Sequence, residues 1–165
     1  MKTQIFKDIF YLECIRLAQQ SKGNERYGSI LVKDGEIIGK GFNRAIAHSS
    51  FGKLERKIKQ GMANHAEIEA LNDSLDNSKN VDGSDLYVAG YFPENNQLFF
   101  KKYYTCVKCL SHFKNYKIAS IYVPTPEGWI KKDLEEATEE AQEFKQNTHK
   151  KRLKVILGNF FLSDI

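Results

Sequence analysis

The sequence predicts an α/β protein, a three-layer α/β/α sandwich built around a mixed sheet of about five strands. Segments with apolar residues at helical spacing alternate with short β-rich runs, a pattern that favours a sheet flanked by helices. The 165 residues are 41% hydrophobic and 28% charged, as in ordinary globular proteins. We therefore expect residues 1–165 to form a single domain.

A helix followed by a hairpin is predicted at the start of the chain. Apolar residues recur every three or four positions between Ile5 and Ala18, as on one face of a helix. The β-rich runs 29–33 and Glu36–Phe42 flank Asp34-Gly35, a pair suited to the positive φ angles of a tight turn. We expect these two runs to pair as antiparallel strands.

The next part of the chain is predicted to contain a long loop and a second helix. Residues 43–63 lack periodicity, apart from a short basic helix expected over residues 53–60. Asn64 is the expected N-cap of the second helix, because asparagine accepts hydrogen bonds from the first turn. The apolar stripe of this helix consists of Ile68, Leu71 and Leu75.

The second half of the chain continues the alternation. Asp85–Phe92 is predicted as the third strand, and the aromatic run 98–104 is expected to be extended. A third helix is expected to begin near Cys106. A fourth strand is predicted over residues 117–123, with Pro124, Pro126 and Gly128 ending it.

The last predicted element of regular length is a fourth helix. Its apolar positions are Leu134, Ala137, Ala141 and Phe144. Residues 153–157 fit either a fifth strand or a final helical stretch, because so short an apolar run does not distinguish the two.

Composition excludes several classes of protein. No apolar run is long enough to cross a membrane, and residues 1–10 lack the apolar core of a secretory signal. Three cysteines, an odd number, indicate free thiols in a reducing compartment, so we expect a cytoplasmic protein. The net charge of +4 permits a phosphate-bearing substrate without requiring a nucleic acid.

Two short motifs point to chemistry: His65-Ala66-Glu67 and Cys106-Val107-Lys108-Cys109. One imidazole and two thiolates supply three zinc ligands and leave a fourth position open, as a catalytic zinc site requires. A carboxylate two residues from the histidine can take a proton from water that zinc has acidified to a pKa of about 7. The two motifs together predict an open catalytic zinc site.

The alternative is a closed structural zinc site with a fourth protein ligand. The candidates for that ligand are Cys14, His48, His112 and His149. Cys14 is predicted to be a small core residue of the first helix, and the three histidines are predicted to lie at the surface.

The motif pair resembles the signature of the cytidine deaminase-like superfamily, the zinc-dependent nucleobase deaminases. The resemblance extends to the strand sequences 28–32, 37–43 and 86–88, and it covers the chain from about residue 5 to residue 123. It implies hydrolytic deamination, in which activated water attacks the carbon bearing an exocyclic amine and ammonia leaves. It also implies a homo-oligomer.

The same resemblance assigns roles to individual residues. His65, Cys106 and Cys109 would hold one Zn²⁺ per chain, and Glu67 would shuttle protons. The substrate would be contacted by the N–H group of Ala66, near the base, and by Asn43, at the sugar or base. The pair Asn43-Arg44 also resembles that of tRNA adenosine deaminases, although a solvated arginine is equally consistent with the sequence.

Two features depart from the family pattern. Thr105 stands where the family usually has proline before the first cysteine, so we expect a less rigid loop and slightly altered geometry. The stretch between Val88 and Cys106 is about a dozen residues longer than in compact members, beyond the usual length of a connection. Its aromatic residues, Tyr91, Phe92, Phe99, Phe100, Tyr103 and Tyr104, are expected either to cap the substrate or to pack as core.

The substrate is predicted to be cytosine in a mononucleotide, of the deoxycytidylate or cytidylate type. The long interval before His65 resembles deoxycytidylate deaminases, and its cations, Lys53, Arg56, Lys57 and Lys59, would meet one phosphate. A tRNA adenosine is the alternative, favoured by the basic cluster Lys150-Lys151-Arg152-Lys154 and by Phe160-Phe161. Single-stranded nucleic acid, with bases stacked on the aromatic insertion, and a non-catalytic zinc-stabilised binding module are further alternatives.

Overall fold

The computed structural model describes residues 8–44, 65–98, 100–101, 105–147, 155–156 and 160–165. The helices in this part of the chain are α1 (Ile9–Ala18), α2 (Ala66–Asp76), α3 (Val107–Asn115) and α4 (Leu134–Asn147). The first four strands are β1 (Arg26–Lys33), β2 (Glu36–Phe42), β3 (Asp85–Phe92) and β4 (Gln97–Leu98). The others are β5 (Phe100–Lys101), β6 (Ser120–Thr125), β7 (Gly128–Asp133) and β8 (Val155–Ile156), and a short 3₁₀ helix covers Leu162–Asp164.

The main sheet is mixed and has six strands, one more than the sequence predicted. Five strands run in the order β2-β1-β3-β6-β7, and β4 pairs with the end of β3. Strands β3 and β6 are parallel, whereas the other pairs are antiparallel. Strands β5 and β8 form a separate antiparallel pair.

Two hydrophobic clusters lie on opposite faces of the sheet, and they confirm the predicted three-layer sandwich. On one face, α1 packs against the sheet through residues that include Cys14, Ile15 and Ile30. On the other face, α2, α3 and α4 pack through residues that include Leu71, Leu110 and Ala141. The helices that begin with the two predicted motifs therefore share one face.

The hairpin at β1 and β2 forms as predicted. Asp34 and Gly35 adopt φ angles of 51° and 78°, in the left-handed region that this pair tolerates. Lys33 pairs with Glu36, so the turn is the shortest that joins two antiparallel strands. The hairpin places Asn43 at the end of β2, next to the start of β1.

The fourth predicted strand is shifted, and the strand after it was not predicted. Residue 117 has a φ of 56°, so the chain turns there and β6 begins only at Ser120. The strand continues through Pro124, which pairs with Trp129 of β7. Pro124 lies beyond the part of β6 that pairs with β3, so its missing N–H group breaks no hydrogen bond to β3.

Strand β7 is a half-exposed edge strand, which explains why its sequence gives no alternating pattern. Ile130 is 48% exposed, whereas Lys132 is buried and pairs with Glu140 of α4 at 2.5 Å. The indole N–H of Trp129 donates a hydrogen bond to Asp8, the N-cap of α1, at 3.1 Å.

Several helix boundaries differ slightly from the predicted ones. Helix α1 begins at Ile9, capped by Asp8, and residues 1–7 lie outside the described part of the chain. His65 occupies the N-cap position of α2, and Asn64, the predicted cap, lies outside the described residues, as does the predicted basic helix 53–60. Within 153–157, Val155 and Ile156 are extended and pair with β5. No described helix is long and apolar enough to span a bilayer.

Candidate metal centre

The two motifs meet because each begins a helix on the same face of the sheet. His65 immediately precedes α2, and Cys106 immediately precedes α3. Cys109 lies in the first turn of α3, and its backbone N–H points to the Cys106 sulfur at 3.5 Å. The first turn of a helix has N–H groups without intrahelical acceptors, so it favours a thiolate at this place.

The three side chains converge on one point. The Sγ atoms of Cys106 and Cys109 are 3.3 Å apart. Nδ1 of His65 lies 3.5 Å from Sγ of Cys106 and 3.3 Å from Sγ of Cys109. Cys106 and Cys109 follow His65 by about forty positions in the sequence, and the fold brings both thiols into contact with its ring.

This donor set fits zinc in type and in spacing. Sulfur and imidazole nitrogen are the usual zinc ligands, and on a tetrahedral ion they stand roughly 3.5–3.8 Å apart. The observed separations lie within about half an ångström of these values. Among the described residues this is the one group of three or more such side chains able to hold a metal ion.

Of the predicted candidates for a fourth ligand, the two that the structure describes, Cys14 and His112, do not belong to this group. Cys14 lies in α1 on the opposite face of the sheet, where its thiol points to the carbonyl of Tyr87 at 3.7 Å. His112 lies on α3 but outside the donor group. His48 and His149 lie outside the described residues. Within the described part of the chain the centre has three protein donors.

The surroundings of Cys106 favour its thiolate form. Hydrogen bonding with the Cys109 side chain is the largest influence, and His65 and the Cys109 N–H add to it. Together they outweigh partial burial and lower the pKa of the Cys106 thiol to about 4. A thiolate at neutral pH is the form that binds a metal.

Glu67 lies beside the donor group without belonging to it. Its side chain is only 4% exposed, in the first turn of α2. Burial raises the pKa of the Glu67 carboxyl, and the neighbouring His65 opposes that effect. A buried carboxyl group beside three metal donors can exchange a proton with a molecule bound there.

The position of α2 depends on two glycines that sequence reasoning did not single out. A Cβ atom on Gly41 would lie 2.3 Å from the backbone N of Ala70 and 2.5 Å from the carbonyl O of Ala66. Gly39 approaches the same helix one pleat earlier, near Ser74. The signal in the sequence was a Gly-x-Gly pair within a β-rich run, because alternate residues of a strand share one face.

Asn43 and Arg44 both contact other residues of the protein. Oδ1 of Asn43 accepts a hydrogen bond from the N–H of Tyr27, and Nδ2 donates one to the carbonyl of Glu25, both at 2.8 Å. Arg44 pairs with Glu69 at 3.2 Å and stacks on the ring of Phe42. Ala66 is fully buried at the first position of α2. Contacts of Asn43 and Ala66 with a substrate remain predictions.

The aromatic insertion contributes to the core where it is described. Tyr91 and Phe100 are buried in the cluster that contains α1, and Phe92 is half-buried. Phe99, Tyr103 and Tyr104 lie outside the described residues. The aromatic residues were expected either to cap the substrate or to pack as core, and Tyr91 and Phe100 pack as core.

Comparison with known proteins gives one family match. The model described as the cytidine and deoxycytidylate deaminase zinc-binding region matches residues 6–125. That span includes both motifs and most of the main sheet. A search of curated protein sequences finds no match.

Several solved structures are similar to this chain at low sequence identity, and the first of those named here shares its fold. Cytidine deaminase from Burkholderia pseudomallei is 16% identical, with 76% of this chain and 90% of that chain covered and a TM-score of 0.53. The dCMP deaminase of cyanophage S-TIM5 is 20% identical, with 68% of this chain and 76% of that chain covered and a TM-score of 0.48. A diaminohydroxyphosphoribosylaminopyrimidine deaminase/reductase from Thermotoga maritima is 23% identical, with 68% of this chain and 27% of that chain covered and a TM-score of 0.42.

Proposed function

The chain belongs to the cytidine and deoxycytidylate deaminase family, and from this membership we propose a hydrolytic deaminase acting on cytosine in a mononucleotide. The family is a zinc-binding one, and His65, Cys106 and Cys109 form a group able to hold one metal ion. The observation that carries the proposal is this group of three donors with the buried Glu67 beside it.

Zinc, when bound, would supply the Lewis acidity that makes water a nucleophile near neutral pH. The imidazole of His65 and the thiolates of Cys106 and Cys109 would hold the ion. The described residues offer three donors, and in the proposed site water and substrate would take the fourth tetrahedral position. The helix starts contribute N–H groups that favour negative charge at the site.

Glu67 has the chemical properties needed for proton transfer. Its carboxylate would accept a proton from the attacking water as the C–O bond forms at the carbon that bears the exocyclic amine. It would then return that proton to the amine, so that the C–N bond breaks and ammonia leaves. The N–H group of Ala66, at the start of α2, would hold the base, since N–H groups in a first helical turn have no intrahelical acceptor.

A mononucleotide is favoured over a larger substrate by the modest net charge of +4 and by the basic sequence before His65. A single phosphate needs only one or two of the cations Lys53, Arg56, Lys57 and Lys59. The pairing of Arg44 with Glu69 and its stacking on Phe42 give that arginine a structural role. This weakens the similarity to tRNA adenosine deaminases that Asn43-Arg44 suggested.

The test is ammonia release from deoxycytidylate, cytidine and an adenosine-bearing tRNA anticodon stem-loop, measured on metal-quantified protein at 50 and 200 mM salt. We expect turnover of the mononucleotide with a small effect of salt. A substrate held by 6–10 phosphate contacts would lose about 10³–10⁵ in affinity over this range.

Two sets of substitutions separate the substrate classes. Neutralising Lys53, Arg56, Lys57 and Lys59 should raise KM for the nucleotide, whereas neutralising Lys150, Lys151 and Arg152 should change it little. Deamination of the stem-loop alone, with steep salt dependence and loss on changing the second set, would replace the mononucleotide with tRNA.

A further inference from the structure

Cys106 and Cys109 form a close pair of thiols at the start of α3. Their Sγ atoms are 3.3 Å apart, and both cysteines are free. Because the bond of a disulfide is about 2.05 Å long, the two sulfurs need to approach each other by only about 1.3 Å to form one. The pair is therefore placed for a second reaction besides metal binding.

The local backbone gives this pair the arrangement of redox-active cysteines. Cys106 is the N-cap of α3, with an extended backbone (φ −77°, ψ 159°), and Cys109 is the third residue of the helix. Residues three positions apart lie on one side of a helix, so the two sulfurs face the same way. The Cys-x-x-Cys motifs of disulfide oxidoreductases have the same spacing.

The three cysteines differ in how easily a reagent reaches them. Cys109 is only 2% exposed, whereas Cys106 is half-buried. An external disulfide therefore reaches Cys106 more easily than Cys109. The third thiol, that of Cys14, is fully buried in the cluster on the opposite face of the sheet, so it takes no part in this chemistry.

We propose that Cys106 and Cys109 form a reversible disulfide in the zinc-free protein, so that metal loading depends on the redox state of the surrounding thiols. The oxidant is a small-molecule disulfide such as oxidised glutathione. The sulfur of Cys106 attacks it and releases one reduced glutathione, and the sulfur of Cys109 then attacks the mixed disulfide and releases a second. Two electrons pass from the cysteine sulfurs to glutathione, and the two thiol protons end on the released glutathione molecules.

Zinc and the disulfide exclude each other. A disulfide sulfur no longer offers the thiolate that zinc binds, and oxidation leaves His65 as the remaining donor of the group. Zinc in turn stabilises the reduced pair, since a ligand stabilises the state that it binds. The inference rests on the proposed function only for one consequence, that the oxidised protein does not turn over substrate.

The test treats the purified protein with excess oxidised glutathione, either zinc-loaded or after EDTA has removed the zinc, as elemental analysis verifies. Without zinc, the free thiols counted by alkylation should fall from three to one, with a mass loss of two hydrogens and no glutathione adduct. Zinc should slow this at least about tenfold, because only the zinc-free fraction reacts. Dithiothreitol should restore the thiols and zinc uptake. Three remaining thiols, a stable adduct, equal rates with and without zinc, or zinc uptake by the oxidised protein would overturn the proposal.

Single variants test the order of the two steps. Cys109→Ala should keep one glutathione on Cys106, because no second thiol displaces it, whereas Cys106→Ala should react at least about tenfold more slowly, because Cys109 is buried. Cys14→Ala is the matched control and should form the same disulfide as wild type. Equal rates in the first two variants would overturn the proposal. These measurements need no substrate, so if nothing is deaminated the proposed function fails and the thiol counts still decide the role of the cysteine pair.

Discussion

The three cysteines occupy two different environments. Cys106 and Cys109 face each other beside His65, whereas Cys14 lies on the buried side of α1 in the core. Burial raises the pKa of the Cys14 thiol well above its usual range, so this residue stays a neutral thiol. Cys106 and Cys109 are therefore placed to bind a metal as thiolates, whereas Cys14 is a side chain of the core.

Loss of either facing cysteine should release the metal. Cys106→Ala or Cys109→Ala removes one of three protein donors, so elemental analysis should find most of the zinc gone. Cys14→Ala is the control and should keep the zinc, although it creates a small cavity. Equal zinc content in all three variants would show that the metal binds elsewhere.

Glu67 should be needed for turnover and not for metal binding. Glu67→Gln keeps the shape of the side chain and removes the proton acceptor, so we expect full zinc content and a fall in kcat of about 10²–10⁴. Glu69→Gln, two residues along the same helix, should keep most of the activity. Loss of zinc from Glu67→Gln would instead make Glu67 a ligand and the site a closed one.

At the scale of elements, the site depends on how closely α2 approaches β2. Gly41→Ala places a methyl group against backbone atoms of Ala66 and Ala70, so the helix must move away from the strand. We expect a loss of stability of about 1–3 kcal/mol and weaker zinc retention, because α2 carries Glu67 and begins after His65.

A matched glycine in the same hairpin separates packing from backbone strain. Apart from its chain neighbours, no atom of the described residues lies within 4 Å of a Cβ on Gly35, and its φ of 78° costs an alanine about 1–2 kcal/mol. Gly35→Ala should therefore lower the urea midpoint while the zinc content stays at the wild-type value. Equal zinc loss in both variants would mean that Gly41 does not position the helix.

The attachment of α1 to β2 should depend on pH through Glu13. Its carboxylate contacts Arg16 at 2.6 Å and Lys40 of β2 at 3.0 Å. Hydrogen bonding to Arg16, with a smaller contribution from Lys40, lowers the pKa of Glu13 from 4.5 to about 2. A lowered folded-state pKa contributes stability above pH 4.5, which is lost as the pH falls toward 2.

Glu13→Gln should thus be less stable than wild type near neutral pH, by less than about 1 kcal/mol because the pair is near the surface. The difference in urea midpoint should shrink between pH 5 and pH 3. Glu143→Gln, at an exposed position of α4, is the control and should show no such trend. A difference in urea midpoint between Glu13→Gln and wild type that stays constant across this pH range would contradict the lowered pKa of Glu13.

At the scale of the whole molecule, helical periodicity predicted α2 and α4, and the structure confirms both. Strands β1 and β3 are buried on both faces, so they were predicted from β-rich runs and turn residues and not from alternation. Strand β7 could not be predicted in this way, because an exposed edge strand with Ile130 outside and Lys132 inside has no simple pattern. Pro124 predicts the end of the fourth strand, whereas β6 continues to Thr125 because Pro124 lies beyond its pairing with β3.

The site, like the fold, could be predicted from the sequence only where it depends on residue types at a fixed spacing. The types and spacing of His65, Cys106 and Cys109 predicted the donor group, because zinc chemistry constrains both. The burial of Glu67 and of Thr105 depends on how α2 and the residues before α3 pack together. The sequence does not encode such contacts at any fixed spacing.

The central claim, an open zinc site with three protein donors, is tested most directly by X-ray absorption at the zinc edge on freshly purified protein. The account predicts about one zinc per chain, bound by two sulfurs at roughly 2.3 Å and two nitrogen or oxygen ligands at roughly 2.0–2.1 Å. Absence of zinc, or a site with three or more sulfur ligands, would contradict it.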